Sequence, residues 1–102
     1  MSENLLNLVN IIRDRKNQDE DKSYTSSLIS GGLSKCIDKM EEEFGELKEA
    51  LNNKSNIVHE AADTIYHILV ALEVADIKFE DVLKELEDRK KQSGIKEKNN
   101  RK

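Results

Sequence analysis

No proline interrupts this 102-residue chain, and its apolar residues return every three or four positions in one segment after another. Proline removes a helical hydrogen bond and clashes with the preceding turn, so its absence leaves long helices possible. The three-to-four spacing gathers apolar side chains into one stripe of an α-helix, whereas a half-buried strand would need strict alternation. With only four glycines and 37% charged residues, the chain reads as all-α, a small bundle of four to five helices.

The stripes set the boundaries. Leu5, Leu8, Val9 and Ile12 predict an amphipathic helix over about 3–17, and the wholly polar stretch 17–22 a loop. Ser23, Tyr24 and Thr25 offer hydroxyl caps for a short helical turn through Leu28 and Ile29, which Gly31 and Gly32 end. Ile37, Met40, Phe44, Leu47 and Leu51 then form a coiled-coil-like seam on a helix over about 33–53. After a break at 52–56, Ile65, Ile68, Leu69, Val70, Leu72 and Val74 cover most of the circumference of a helix over 57–75. That predicts a place at the bundle centre. Phe79, Val82, Leu83 and Leu86 mark a last helix over about 79–91, stopped by Ser93-Gly94. The expected organisation is one domain over 1–92, with a basic tail over 93–102 that serves the same domain.

Composition excludes several classes. No apolar run is long enough to span a bilayer, and Met1-Ser2-Glu3-Asn4 lacks the basic-then-apolar pattern of a secretory signal, so a cytosolic protein without a membrane role is expected. The single cysteine, Cys36, cannot close an internal disulfide and reads as a small packed side chain. A core built from 36% hydrophobic residues and four aromatics is modest, which points to a partner surface. From Arg89 onward seven bases face one acid, a net of +6, leaving −10 for the rest of a chain whose total is −4. An acidic body with few aromatics argues against nucleic acid. The basic tail reads either as a solvated end or as an arm for an anionic ligand.

The acids carry the chemistry. Glu42, Glu43 and Glu46 form E-E-x-x-E, and Glu60 with Asp63 forms E-x-x-D on the next helix. At about 100° per residue, the first three share one flank of the seam. Glu60 and Asp63 lie one turn apart, with His67 a further turn along, opposite the stripe of Ala61, Ile65, Ile68 and Leu72. Runs such as Glu41-Glu42-Glu43 are commonly solvated helix faces. On a helix buried nearly all round, however, unpaired carboxylates are costly, and Lys39 alone cannot neutralise five of them. A divalent cation can. Hard oxygen ligands from two helices suit Mg²⁺, which keeps some water and binds phosphates, and the chemistry implied is hydrolysis of a phosphoanhydride. A solvated surface and a metal site both stay open on spacing alone. Glu41, Glu49 and His59 read as surface residues, and His67 as a packing histidine with its hydrogen bonds satisfied.

The same residues resemble a known family. Superfamily membership, in the all-α nucleoside triphosphate pyrophosphohydrolases, rests on Glu42-Glu43-x-x-Glu46 and Glu60-x-x-Asp63. The narrower resemblance, to phosphoribosyl-ATP pyrophosphohydrolase, rests on several further segments. They are Arg15-Lys16, Ser23-Tyr24-Thr25, Gly32, Lys39, Glu60-Ala61-Ala62-Asp63 with Tyr66-His67-Ile68-Leu69-Val70, and Arg89 with Ser93-Gly94-Ile95-Lys96-Glu97-Lys98. The resemblance implies Mg²⁺-dependent cleavage of phosphoribosyl-ATP to phosphoribosyl-AMP and pyrophosphate, a step of histidine biosynthesis. It makes Glu42, Glu43, Glu46, Glu60 and Asp63 the metal ligands, one of them also the base. Lys39, Arg89, Lys98 and Arg101 become candidates for phosphate contacts, and Ser23, Tyr24 and Thr25 either border the substrate or merely cap a helix. It further implies a bundle completed by homodimerisation, and a single activity, since the cyclohydrolase domain often fused to this enzyme is not in the sequence. The chain departs from the family's pattern at Phe44, where a small residue is usual, at Gly45, where a helix former is expected, and in the polar stretch Leu47-Lys48-Glu49-Ala50. The competing expectations are a house-cleaning pyrophosphohydrolase for dUTP or dCTP and a silent helical module that binds a partner helix through the Ile37-to-Leu51 seam.

Overall fold

The computed structural model describes residues 2–16 and 23–90. Four helices follow one another: α1 Ser2–Arg15, α2 Tyr24–Asn53, α3 Ile57–Val74 and α4 Phe79–Lys90. No strand is present among the described residues. The all-α bundle expected from periodicity is therefore what forms. The polar stretch 17–22 and the expected basic tail, with Lys98 and Arg101, lie outside the described residues.

The glycine break inside α2 sits at Gly32, whose φ of 86° and ψ of 176° no L side chain adopts comfortably. It divides α2 into an arm and a long rod. Ser23 caps the arm: its Oγ accepts a hydrogen bond from the Ser26 amide at 3.0 Å, which satisfies one of the orphan donors of a helix start. The Ser26 hydroxyl donates to the Arg15 carbonyl at 3.2 Å, so its oxygen accepts from Ser23 Oγ at 2.9 Å. The chain entering α2 is thus tied to the end of α1.

The rod and α3 form an antiparallel hairpin through a turn in which Lys54 and Asn56 both take left-handed backbone angles. At the far end of α3 the Ile77 amide reaches the Leu72 carbonyl at 2.9 Å and the Asp76 amide the Glu73 carbonyl at 3.1 Å. With Asp76 left-handed, this is a Schellman ending that stops the helix without glycine.

Val9 and Ile12 of α1, Leu28 and Cys36 of α2, Leu69, Val70 and Ala71 of α3, and Phe79 of α4 make one buried core. Burying a side chain such as Ile12 or Leu28 is worth about 2 kcal/mol. Cys36 belongs to this packing, as expected: its thiol donates to the Leu28 carbonyl at 3.6 Å, and burial raises its pKa, which keeps it an unreactive thiol. The core occupies one half of the bundle, where α1, the arm and α4 meet the C-terminal part of α3. The other half is the α2–α3 hairpin alone.

The coiled-coil-like seam of Ile37 to Leu51 is split there: Ile37, Phe44 and Leu51 are exposed, Phe44 to 62%, while Met40 packs against the core and Leu47 is partly buried. Helix α3 does touch each of the other three helices, yet Val58, Ile65 and Ile68 also lie open. The reason is rotational. The hairpin turns the flank with Glu43 and Ala50 of α2 toward Thr64 and His67 of α3, all buried, and so leaves Ile37, Phe44 and Leu51 of α2 and Val58, Ile65 and Ile68 of α3 outside. Gly45 lies on the open side of the rod, where an added Cβ would meet nothing within 4 Å. No close approach among the described residues accounts for it.

An ionic cluster holds α1 to the end of α3 and the start of α4. Glu73 is buried, and the Arg13 guanidinium donates to its carboxylate at 2.6 Å. The same guanidinium forks onto Glu80 at 2.7 and 3.1 Å, and Lys16 Nζ reaches the Glu73 carbonyl at 3.1 Å. Hydrogen bonds from Arg13 hold the Glu80 carboxyl down at about 2, against an ordinary 4.5. A carboxyl depressed by folding contributes stability above its ordinary pKa and loses it as pH falls toward the folded value. Glu80→Gln is therefore expected to melt below the native chain at pH 7. The gap should narrow below about pH 4.5 and close toward pH 2, as thermal melts across that range would record.

Candidate metal centre and active site

The hairpin brings three acids together, with Glu43 buried, Glu60 partly buried and Glu46 exposed. Glu43 is 8% exposed, because its turn of α2 lies against Thr64, whose hydroxyl donates to the Glu60 carbonyl at 2.8 Å with the Glu43 carbonyl 3.2 Å away. Ligating oxygens of Glu43, Glu46 and Glu60 all fall within 4.8 Å of one another. On two of these residues an oxygen, Glu43 Oε2 and Glu60 Oε1, is shut off from solvent with no hydrogen-bond partner among the described residues. Buried carboxylate oxygens left without partners are costly. Burial first, and then the neighbouring Glu46 carboxylate, push the Glu43 carboxyl above its ordinary value, with Asp63 adding. A hard cation among these oxygens would answer both the missing partners and the mutual repulsion, so the residues fit Mg²⁺. A cleft of about 310 Å³ opens beside them, lined among others by Glu46, Asn53, Asn56 and Glu60.

The remaining acids are placed differently. Asp63, half-buried, faces His59, with Oδ2 3.2 Å from the ring Nε2. Glu42 is exposed and held by Lys39 Nζ at 3.0 Å, an interaction that raises the lysine's pKa. The ammonium thus stands at the edge of the acidic cluster rather than within it.

His67 is buried, in keeping with a packing histidine, and its bonds fix its tautomer. The Asp63 carbonyl, 2.7 Å from Nδ1, can only accept, so Nδ1 carries the proton and Nε2 accepts from the Tyr24 hydroxyl at 3.0 Å. Tyr24 is thereby drawn from the start of α2 to the acidic end of α3. Burial, more than the neighbouring acids, raises its pKa, while Lys39 opposes. Thr25 is buried and hydrogen-bonded to the Tyr66 hydroxyl. Of the three hydroxyls at 23–25, then, Ser23 is a cap, Thr25 a packing contact, and only Tyr24 stands half-exposed beside Lys39 and the acids. Arg89 sits near the end of α4 and pairs with Glu85 of its own helix at 3.5 Å.

One further side chain stands beside the acids, although its sequence position suggests plain surface. His59 is exposed, but its ring nitrogen lies within 4.8 Å of oxygens of Glu60 and Asp63. The signal was present in the spacing, since His59 and Asp63 are four apart on one helix face.

A phosphoribosyl-ATP pyrophosphatase of Rhizobium etli is 41% identical over 99 residues, which are 95% of this chain and 92% of that protein. One from Roseobacter denitrificans is 42% identical over 92 residues, covering 88% of each. A histidine biosynthesis bifunctional protein of Helicobacter hepaticus is 45% identical over 97 residues, 93% of this chain but 42% of that protein. Residues 5–90, which span all the acids described above, match the phosphoribosyl-ATP pyrophosphohydrolase family as a whole. The chain belongs to the phosphoribosyl-ATP pyrophosphohydrolase family of enzymes.

Proposed function

We propose that the protein hydrolyses phosphoribosyl-ATP to phosphoribosyl-AMP and pyrophosphate with Mg²⁺, as a step of histidine biosynthesis. The observation that carries the Mg²⁺ dependence is the pair of buried, unpartnered oxygens on Glu43 and Glu60 within one three-carboxylate cluster. The substrate comes from the relatives' names and from the span of the family match.

In this reading Glu43, Glu46 and Glu60 hold the cation, with Glu42 and Asp63 at its margin. When bound, Mg²⁺ neutralises phosphate charge and acidifies bound water. The chain's residues do the rest. A carboxylate of the cluster accepts the proton of the attacking water, the bond between the α and β phosphates breaks, and pyrophosphate leaves. Lys39 trades Glu42 for a phosphate oxygen, a charge-assisted bond. Tyr24, locked by His67, closes one side of the site. Arg89, Lys98 and Arg101 are the further phosphate contacts proposed. A panel of phosphoribosyl-ATP, dUTP and dCTP, read as pyrophosphate release, tests the substrate. Phosphoribosyl-ATP should be turned over at least tenfold faster than either deoxynucleotide, and a preference for dUTP or dCTP would reassign the protein to house-cleaning.

We further propose that the enzyme is a homodimer. Ile37, Phe44 and Leu51 on α2, spaced by seven residues, and Val58 and Ile65 on α3, also seven apart, are all exposed. Exposed apolar side chains gathered at helical spacing mark association surfaces. Phe44→Glu should convert a dimer to monomer in sedimentation while leaving the helical content unchanged. An unaltered sedimentation profile would count against this face as the interface.

A further inference from the structure

We propose that His67 is a positioning residue for the reaction: through the Tyr24 hydroxyl it fixes the Lys39 ammonium beside the carboxylate cluster, where that ammonium meets a phosphate of the substrate. This rests on the pyrophosphohydrolase reading and gives the buried histidine a part in it.

Three elements meet at Tyr24. It stands on the arm of α2, Lys39 on the rod of the same helix, and His67 on α3. Arm and rod join at Gly32, whose positive φ interrupts the helix, so helical continuity does not set the distance from Tyr24 to Lys39. Helix α3 sets it. Consecutive residues of the arm bond to consecutive residues of α3, Thr25 to the Tyr66 hydroxyl and the Tyr24 hydroxyl to His67 Nε2, the latter at 3.0 Å. Tyr24 and Tyr66 also flank the His67 ring in T-shaped contacts, each with centroids 5.8 Å apart.

The bonds run in one direction. His67 Nδ1 donates to the Asp63 carbonyl at 2.7 Å, which leaves Nε2 an acceptor and makes Tyr24 the donor. With its one proton committed, the tyrosine oxygen can only accept, and the donor beside it is Lys39. Burial raises the Tyr24 pKa, and Lys39 is the strongest influence against that rise, as befits an ammonium next to a phenol oxygen. The other hold on Lys39 is Glu42 at 3.0 Å, an exposed carboxylate, and such a pair restrains a long side chain weakly. When Lys39 exchanges Glu42 for a phosphate oxygen, Tyr24 is the anchor that stays. A histidine that only fills space is the competing account.

Steady-state kinetics with phosphoribosyl-ATP and Mg²⁺, read as pyrophosphate release, decide between them, beside thermal melts of each protein. Tyr24→Phe keeps the ring and loses the hydroxyl, so it should raise KM about tenfold with kcat within about twofold of native. His67→Leu should do the same. In His67→Gln the amide oxygen can accept in place of Nε2, and KM should stay within about threefold of native. On a Lys39→Met background Tyr24→Phe should raise KM no further, because both act through one contact. Packing alone would lower the melting temperature of His67→Leu and leave the KM of Tyr24→Phe at the native value. That native KM, or an undiminished Tyr24→Phe effect on the Lys39→Met background, overturns the proposal, and neither outcome depends on whether His67→Leu folds. If the native chain turns the substrate over in that case, the pyrophosphohydrolase reading stands without it. A native chain with no turnover overturns both.

Discussion

Glu43→Gln is expected to abolish Mg²⁺ binding and to lower turnover on the order of a thousandfold while the metal-free protein becomes no less stable. The two halves of this result come from one geometry. Glu43 is 8% exposed, carries an unpartnered buried oxygen and has the Glu46 carboxylate beside it. Without a cation that arrangement costs stability, through desolvation and like-charge repulsion, so the neutral amide relieves it. With a cation the same carboxylate is a ligand, so the amide removes it. Thermal melts with and without Mg²⁺ read both: the native chain should gain melting temperature on adding Mg²⁺, and the variant should start at or above the metal-free native value and gain nothing. A variant that still responds to Mg²⁺ would mean that the ion binds elsewhere.

Arg13→Met should cost about 2–3 kcal/mol. Arg13 is the principal partner of the buried Glu73 carboxylate, at 2.6 Å, and also forks onto Glu80. Removing it strands an acid in the joint between α1, α3 and α4, and Lys16, 3.7 Å from Glu73, compensates only in part. The loss is set below that for breaking a fully buried pair because Arg13 itself is partly solvated. For a domain of this size it corresponds to a fall in melting temperature of roughly 10–20 °C, measurable by calorimetry. Arg13→Met with Glu73→Met should recover much of it, since the double change leaves no unpaired buried charge. A single variant that melts with the native chain would show that water, not Arg13, stabilises Glu73.

The helices were legible because their signals are local. Leu5 to Ile12, the glycines at 31 and 32, and Phe79 to Leu86 each announce an element or its end by spacing alone, and the structure follows them to within a residue or two among the described positions. The rotation of the helices was not legible in the same way. Ile37, Phe44 and Leu51 have the spacing of a packed seam, yet the chain buries Glu43 and leaves them open. Periodicity says which residues share a face, but not whether that face meets the same chain or another. For the acids, spacing brought Glu43, Glu46 and Glu60 within consideration, but only the hairpin register separates them from Glu42, which turns to Lys39. Glu73 is the clearest omission. It sits in the apolar run of α3, and its partner Arg13 is 60 residues away in sequence, beyond the reach of any local pattern.

The central claim is that a divalent cation held by the α2–α3 carboxylates serves the cleavage of phosphoribosyl-ATP. Its most direct test is pyrophosphate release from that substrate by the native protein, first stripped of divalent ions and then titrated with Mg²⁺. Release should be at background in the stripped protein and rise to saturation with Mg²⁺. Release that proceeds equally well without divalent ions, or none at any Mg²⁺ concentration, would contradict the account.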